Sequence, residues 1–254
     1  MTVTRISISM YGQLIALMSV SFIMHCNQSD MGNNGKINLY SFYTPSHAVL
    51  KDDWFLPSIK DNFNVITAFA EQSCPTGVYH DPGFQETVLK KVDIIVDAIK
   101  ENRGKIIIYA DIDIQFFEPI QELIEHALKD NDMVVQRDSP KGLICSGFFA
   151  CRCNNQSLAV WEHVKELMMN ESYDDQNALN RVLKRHERDI RWDYLPVTFF
   201  STGTLAGTGW IPGKTLDIPE GIVLHHANWT KGVANKCALL EYVKTIVEKR
   251  KNMQ

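Results

Sequence analysis

Lys105-Ile106-Ile107-Ile108-Tyr109-Ala110-Asp111-Ile112-Asp113 decides the fold: an apolar run that ends abruptly in two carboxylates. Residues apolar at every position, not at alternate ones, belong to a strand covered on both faces, as in the middle of a parallel sheet. Gly104 stands just before it and suits a helix end, where a residue without Cβ takes the left-handed conformation. Upstream, Phe84 to Lys100 sets Val88, Val92, Ile95, Val96 and Ile99 at helical spacing. Helix, strand and acidic turn together read as one unit of an α/β sheet.

Outward from this unit, strands are predicted at Ile37–Phe42, Phe63–Phe69, Met133–Gln136, Leu143–Cys151, Asp189–Leu195 and Ile222–Ala227. Helices are predicted at Ile120–Leu128, Leu158–Met168, Gln176–Leu183 and Ala238–Val247. His47–Ile59 reads as helical in part, with Trp54 and Phe55 turned inward and a break near Pro57. The strand–helix alternation of the first half argues for one α/β domain with a largely parallel sheet.

Composition sets limits. The 254 residues suffice for one large domain, and 45% apolar with 22% charged residues is ordinary globular usage. A net charge of −4 gives no sign of a nucleic-acid-binding surface. A phosphate-bearing ligand would therefore have to meet local cations: a metal, a few lysines or helix N-termini. The cysteines, Cys26, Cys74, Cys145, Cys151, Cys153 and Cys237, lack the spacing of a zinc site and read as structural.

The N-terminal residues 1–35 stand apart from the domain, 36–254. Leu14 to Met24 (LIALMSVSFIM) has the length of a signal-peptide core and is short for a membrane span. It reads equally as a cleaved signal or a weak anchor, so weak membrane association and a secretory location are expected in that case, a cytoplasmic one otherwise.

In open α/β sheets ligands bind beyond the carboxyl ends of the strands, where Asp111 and Asp113 stand. Two carboxylates one residue apart can both reach one hard cation, Mn²⁺ or Mg²⁺, which shares its oxygen ligands with a diphosphate. The same pattern also opens haloacid-dehalogenase-like phosphatases, with the first Asp as nucleophile, but no second acidic pair follows near the C-terminus here. His225-His226-Ala227-Asn228-Trp229-Thr230-Lys231-Gly232, with Lys236 beyond, could add an imidazole to a cation site, a glycine for close phosphate approach, and compensating charge. A packed histidine beside a structural tryptophan is the alternative. Asp174-Asp175-Gln176 opens a helix; capping accounts for one aspartate, not for both.

Together these residues resemble the nucleotide-diphospho-sugar transferase family, whose members include plant cell-wall xylosyl- and galactosyltransferases. The similarity runs from about Ile37 to Leu240. Its motifs are Ile108-Tyr109-Ala110-Asp111-Ile112-Asp113, Cys145-Ser146-Gly147-Phe148-Phe149, Asp174-Asp175-Gln176-Asn177-Ala178-Leu179-Asn180 and His226-Ala227-Asn228-Trp229 with Gly232 and Lys236. The resemblance implies a GT-A-type, Rossmann-like α/β/α sandwich with a mostly parallel mixed sheet. It further implies a Mn²⁺ or Mg²⁺ ion, a nucleotide-sugar donor and transfer with retention of configuration. Asp111, Asp113 and His226 become the metal ligands, His226 being preferred to His225 for its register before Asn228-Trp229. Lys91 (or Lys90), Ser146, Gly147, Asn228, Trp229, Gly232 and Lys236 become substrate-binding residues. Asp175 and Gln176 fall near the reacting carbon, with Asp175 as nucleophile or sugar-positioning group. A donor-binding module without catalysis would carry the same residues. Cys145 departs from the family, which commonly has Asn there. The short chain implies a minimal acceptor site, or one that a partner completes.

Overall fold

The computed structural model describes residues 35–74, 81–139, 141–202 and 209–253. Leu14–Met24, Cys26 and most of the loop from Pro75 to Gly83 lie outside the described residues. The chain opens with β1 (Asn38–Tyr43), a 3-10 turn (Pro45–His47), a π-helical turn (Leu50–Phe55), the single-turn α1 (Leu56–Ser58) and β2 (Asn64–Phe69). There follow α2 (Phe84–Glu101), β3 (Ile106–Ala110), β4 (Ile114–Phe116), α3 (Gln121–Ala127), β5 (Met133–Arg137), β6 (Ile144–Arg152), α4 (Asn155–Asn170) and α5 (Asp175–Lys184). The last elements are β7 (Trp192–Tyr194), β8 (Phe199–Ser201), β9 (Leu224–His226) and α6 (Val233–Lys251).

The main sheet has the order β2-β1-β3-β6-β5-β7. β1 runs parallel to β2 and β3, and β5 parallel to β7, while β6 is antiparallel to both its neighbours. A small sheet, β4-β9-β8, packs beside it. β3 occupies the inner position that its unbroken apolar run requires. Its alternate side chains supply two cores: Ile108 and Ala110 face one with α6 and the small sheet, Ile107 and Tyr109 the other with α2, α4 and α5. The layers are thus helices, main sheet, then small sheet with further helices.

Differences from expectation lie in short elements. β4 and β8 have three residues each, too few to display a period, and neither was legible. The strand expected at Asp189–Leu195 shrinks to Trp192–Tyr194. Pro57 lies in the last turn of a continuous helical stretch, 48–58, that passes from π to α, and the helix ends beside it where Ile59 turns extended. Among the described residues no helix is long and apolar enough to cross a membrane.

Trp161 on α4 is fully buried, its ring 4.7 Å from that of Phe149. Trp161→Ala is expected to lower unfolding free energy by about 3–5 kcal/mol. Met169→Ala on the exposed side of the same helix should change it by less than ~0.5 kcal/mol. Urea denaturation of the two variants measures both.

Candidate active site

Strand register brings the acidic pair and the histidine together. β3 pairs with β6 so that Ala110 faces Phe148, and one step on the Asp111 amide donates to the Gly147 carbonyl at 2.7 Å. β4 pairs with β9 so that Ile114 faces His226, and the Ala227 amide donates to the Asp113 carbonyl at 3.0 Å. Asp111-Ile112-Asp113 thus crosses from the main sheet to the small one. Ile112 turns into the core while both carboxylates face a cavity. At Gly147 a Cβ would collide with the His226 ring and the Asp111 carboxylate, so only glycine lets the three side chains converge.

His226 Nε2 lies 3.1 Å from Asp113 Oδ1 and 3.9 Å from Asp111 Oδ2. One ligand atom from each residue falls within a 4.8 Å span, a set that could hold a metal ion. Two carboxylates and an imidazole suit a divalent cation of the Mg²⁺–Mn²⁺ kind. His225 points the other way, as strand alternation demands: its Nε2 is 2.7 Å from Thr202 Oγ1 and its ring stacks on Phe200. Burial, reinforced by the neighbouring His226, lowers the His225 pKa to about 3.

Two lysines, Lys91 buried and Lys236 half-buried, pair with the carboxylates. Lys91 Nζ lies 3.0 Å from Asp111 Oδ1 and 2.9 Å from Asp175 Oδ2. Burial opposes its charge, yet the two carboxylates outweigh burial and raise its pKa. Lys90, the competing lysine, turns to Ser73 Oγ at 2.7 Å and to Glu86. Lys236, in the first turns of α6, donates to Asp113 Oδ2 and, at 2.9 Å, to the Ala227 carbonyl. Burial pushes the Asp113 pKa up, but Lys236 and His226 overcome it and hold the carboxyl well below its usual range. For His226 burial disfavours the charge and Asp113 prevails, holding its pKa well above the usual value.

The paired aspartates before α5 divide their work. Asp174 caps the helix by accepting from the Asn177 amide at 2.7 Å. Asp175 is buried and accepts from Ser146 Oγ at 2.8 Å beside Lys91. Gln176 donates to Asp138 Oδ2 at 3.0 Å. Asp138, which sequence reading passed over, is fully buried and also accepts from Ser201 Oγ at 3.0 Å, Trp229 Nε1 at 2.8 Å and the Asn228 amide. It stands just past the carboxyl end of β5, the same kind of position that singled out Asp111. Gln136, also unforeseen, sits behind His226.

All the site residues expected from the sequence, from Lys91 to Lys236, line one cavity of about 590 Å³. Trp229 stands at its rim with a positive φ of 53° and 45% of its surface exposed, and Gly232 (φ 83°) opens α6 there. The described thiols Cys145, Cys151, Cys153 and Cys237 form no disulfide.

The fold is of the GT-A type, the architecture of nucleotide-sugar-dependent transferases. It is similar to a glycosyltransferase involved in glycosylation of the major capsid of PBCV-1, with a TM-score of 0.54 and 15% identity over 82% of this chain and 99% of that one. It is also similar to the glycosyltransferase GlyE of Streptococcus pneumoniae, with a TM-score of 0.53 and 15% identity over 84% of this chain and 64% of that one. None of the curated proteins compared matches the chain. Residues 64–240, well over half of the 254, match the nucleotide-diphospho-sugar transferase family, and the chain belongs to that family. That membership displaces the phosphatase reading of Asp111.

His225 yields a pH prediction. Its pKa is 6.5 unperturbed and about 3 in the fold, so between those values the unfolded chain binds more protons and stability rises with pH. Stability is therefore lost as pH falls from about 6.5 toward 3, by at most ~1.4 kcal/mol per pH unit from this residue. His225→Phe, which keeps a ring against Phe200, should flatten the acid side of a plot of Tm against pH. An unchanged slope would contradict the assignment.

Proposed function

We propose that this protein transfers a sugar from a nucleoside-diphosphate sugar, most simply a UDP-sugar, to an acceptor with retention of configuration. Two carboxylates, an imidazole, a buried and a half-buried lysine and a third carboxylate converging on one cavity carry this reading. Asp111, Asp113 and His226 would hold the cation, Mn²⁺ or Mg²⁺, which when bound supplies Lewis-acid stabilisation of the departing diphosphate. The donor set fits it: hard oxygens, one imidazole nitrogen, and a glycine that leaves the three room to meet.

The chain's own groups do the rest. Lys236 and the backbone at Gly232, where α6 begins, offer positive charge and unpaired N–H groups to phosphate oxygens. Lys91 bridges Asp111 and Asp175 and holds the two carboxylates at fixed separation. Asp175, oriented by Lys91 and Ser146, is the carboxylate available to the donor sugar, either as nucleophile or as a partner for its hydroxyls. Asp138 holds Gln176, Asn228 and Trp229 as one side of the pocket. The acceptor would enter past Trp229, whose half-exposed ring is tied down through its Nε1.

Turnover of a nucleotide sugar should require Mn²⁺ or Mg²⁺ and fall by at least ~100-fold in Asp113→Asn, since metal stabilisation of charge is worth several kcal/mol. A panel of UDP- and GDP-sugars, scored for hydrolysis and transfer, measures this. Tight UDP binding without any turnover would instead favour the non-catalytic binding module.

A further inference from the structure

Gln136 is a polar residue near the end of the buried strand β5, with none of its surface exposed. Such a group has to find partners for all its polar atoms. Its Nε2 donates to the Phe199 carbonyl at 3.2 Å and to the Phe200 carbonyl at 3.0 Å. Both amide hydrogens are thereby engaged, and reversing the amide would set oxygen against two carbonyl oxygens. The atom 3.2 Å from His226 Nδ1 is therefore Oε1.

An amide oxygen only accepts, so Nδ1 carries a hydrogen. Cys145 Sγ, 3.4 Å from the same nitrogen, accepts from the Gly147 amide and offers Nδ1–H a second, weaker acceptor. Nε2, the nitrogen that faces Asp113 and Asp111, is then the one that releases its hydrogen and presents a lone pair when a cation enters. Hydrogen bonds of this kind set the tautomer and orientation of metal-ligating histidines.

We propose that Gln136 is a positioning residue for the metal site, locking His226 in its Nδ1–H form with Nε2 as the ligand atom. The inference rests on Asp111, Asp113 and His226 being a cation site. Gln136 does this from β5, with its own orientation set by the β8 carbonyls of Phe199 and Phe200. The link explains why a buried amide stands in an otherwise apolar run, Met133-Val134-Val135.

Two substitutions separate positioning from mere structural support. Gln136→Met and Gln136→Glu both remove the N–H groups that hold the β8 carbonyls, but only Glu keeps an acceptor for Nδ1–H. With Mn²⁺ alone as the probe, calorimetric titration should show binding weakened ~10–100-fold in Gln136→Met and within about threefold of wild type in Gln136→Glu. In ¹⁵N-histidine spectra of the Mg²⁺-loaded wild-type protein, which need no substitution, the His226 hydrogen should reside on Nδ1. Equal weakening of both variants, undiminished binding by Gln136→Met, or a hydrogen on Nε2 would each overturn the proposal. If wild-type protein itself binds no Mn²⁺, the cation-site reading fails and the proposal with it. Binding by wild type that is lost in Asp113→Asn but kept in Gln136→Met refutes Gln136 alone.

Discussion

The site depends on a three-residue crossing between two sheets. Asp111 still belongs to the hydrogen-bond ladder of the main sheet, through Gly147, and Asp113 already belongs to that of the small sheet, through Ala227. Between them Ile112 is anchored in the core. With Ile112 held inward in the turn that joins β3 to β4, its two neighbours face the cavity together. The carboxylates converge because the chain changes sheets there. His226 joins them because β9 is the strand that receives β4.

Such convergence is unfavourable by itself. Three carboxylates close together, two of them buried, would lose hydration and repel one another. Lys91, Lys236 and His226 offset this through direct contacts. Removing one partner of a buried pair is more damaging than the net worth of the pair, because it strands the other charge. The cluster is thus a poor contributor to stability and a good device for geometry. Its rigidity is inherited from two sheets and two helices, α2 and α6, none of which can shift without moving a charge.

Much of this was legible in the sequence because it follows from local pattern. The run Ile106–Ala110 announced a buried strand, helical spacing announced α2, and the surplus acid in Asp174-Asp175 announced a residue not needed for capping. β4 and β8 lie in no stretch that read as a strand, so the second sheet, of which only β9 was anticipated, was invisible as a sheet. Asp138 and Gln136 were missed for another reason. Each lies on or just past β5 and touches partners 38 to 91 residues away, so no window of sequence contains the contact. The choice between His225 and His226, and between Lys90 and Lys91, had rested on resemblance. In the fold it follows from which face of β9 and of α2 each residue occupies.

The central claim is that Asp111, Asp113 and His226 are the ligands of the cation that accompanies the nucleoside diphosphate. Anomalous diffraction at the manganese edge, from crystals grown with Mn²⁺ and UDP, tests it most directly. The account predicts one manganese peak within bonding distance of both carboxylates and His226 Nε2, with the diphosphate beside it. UDP seated in the cavity with no manganese among these three residues, or manganese held elsewhere, would contradict it.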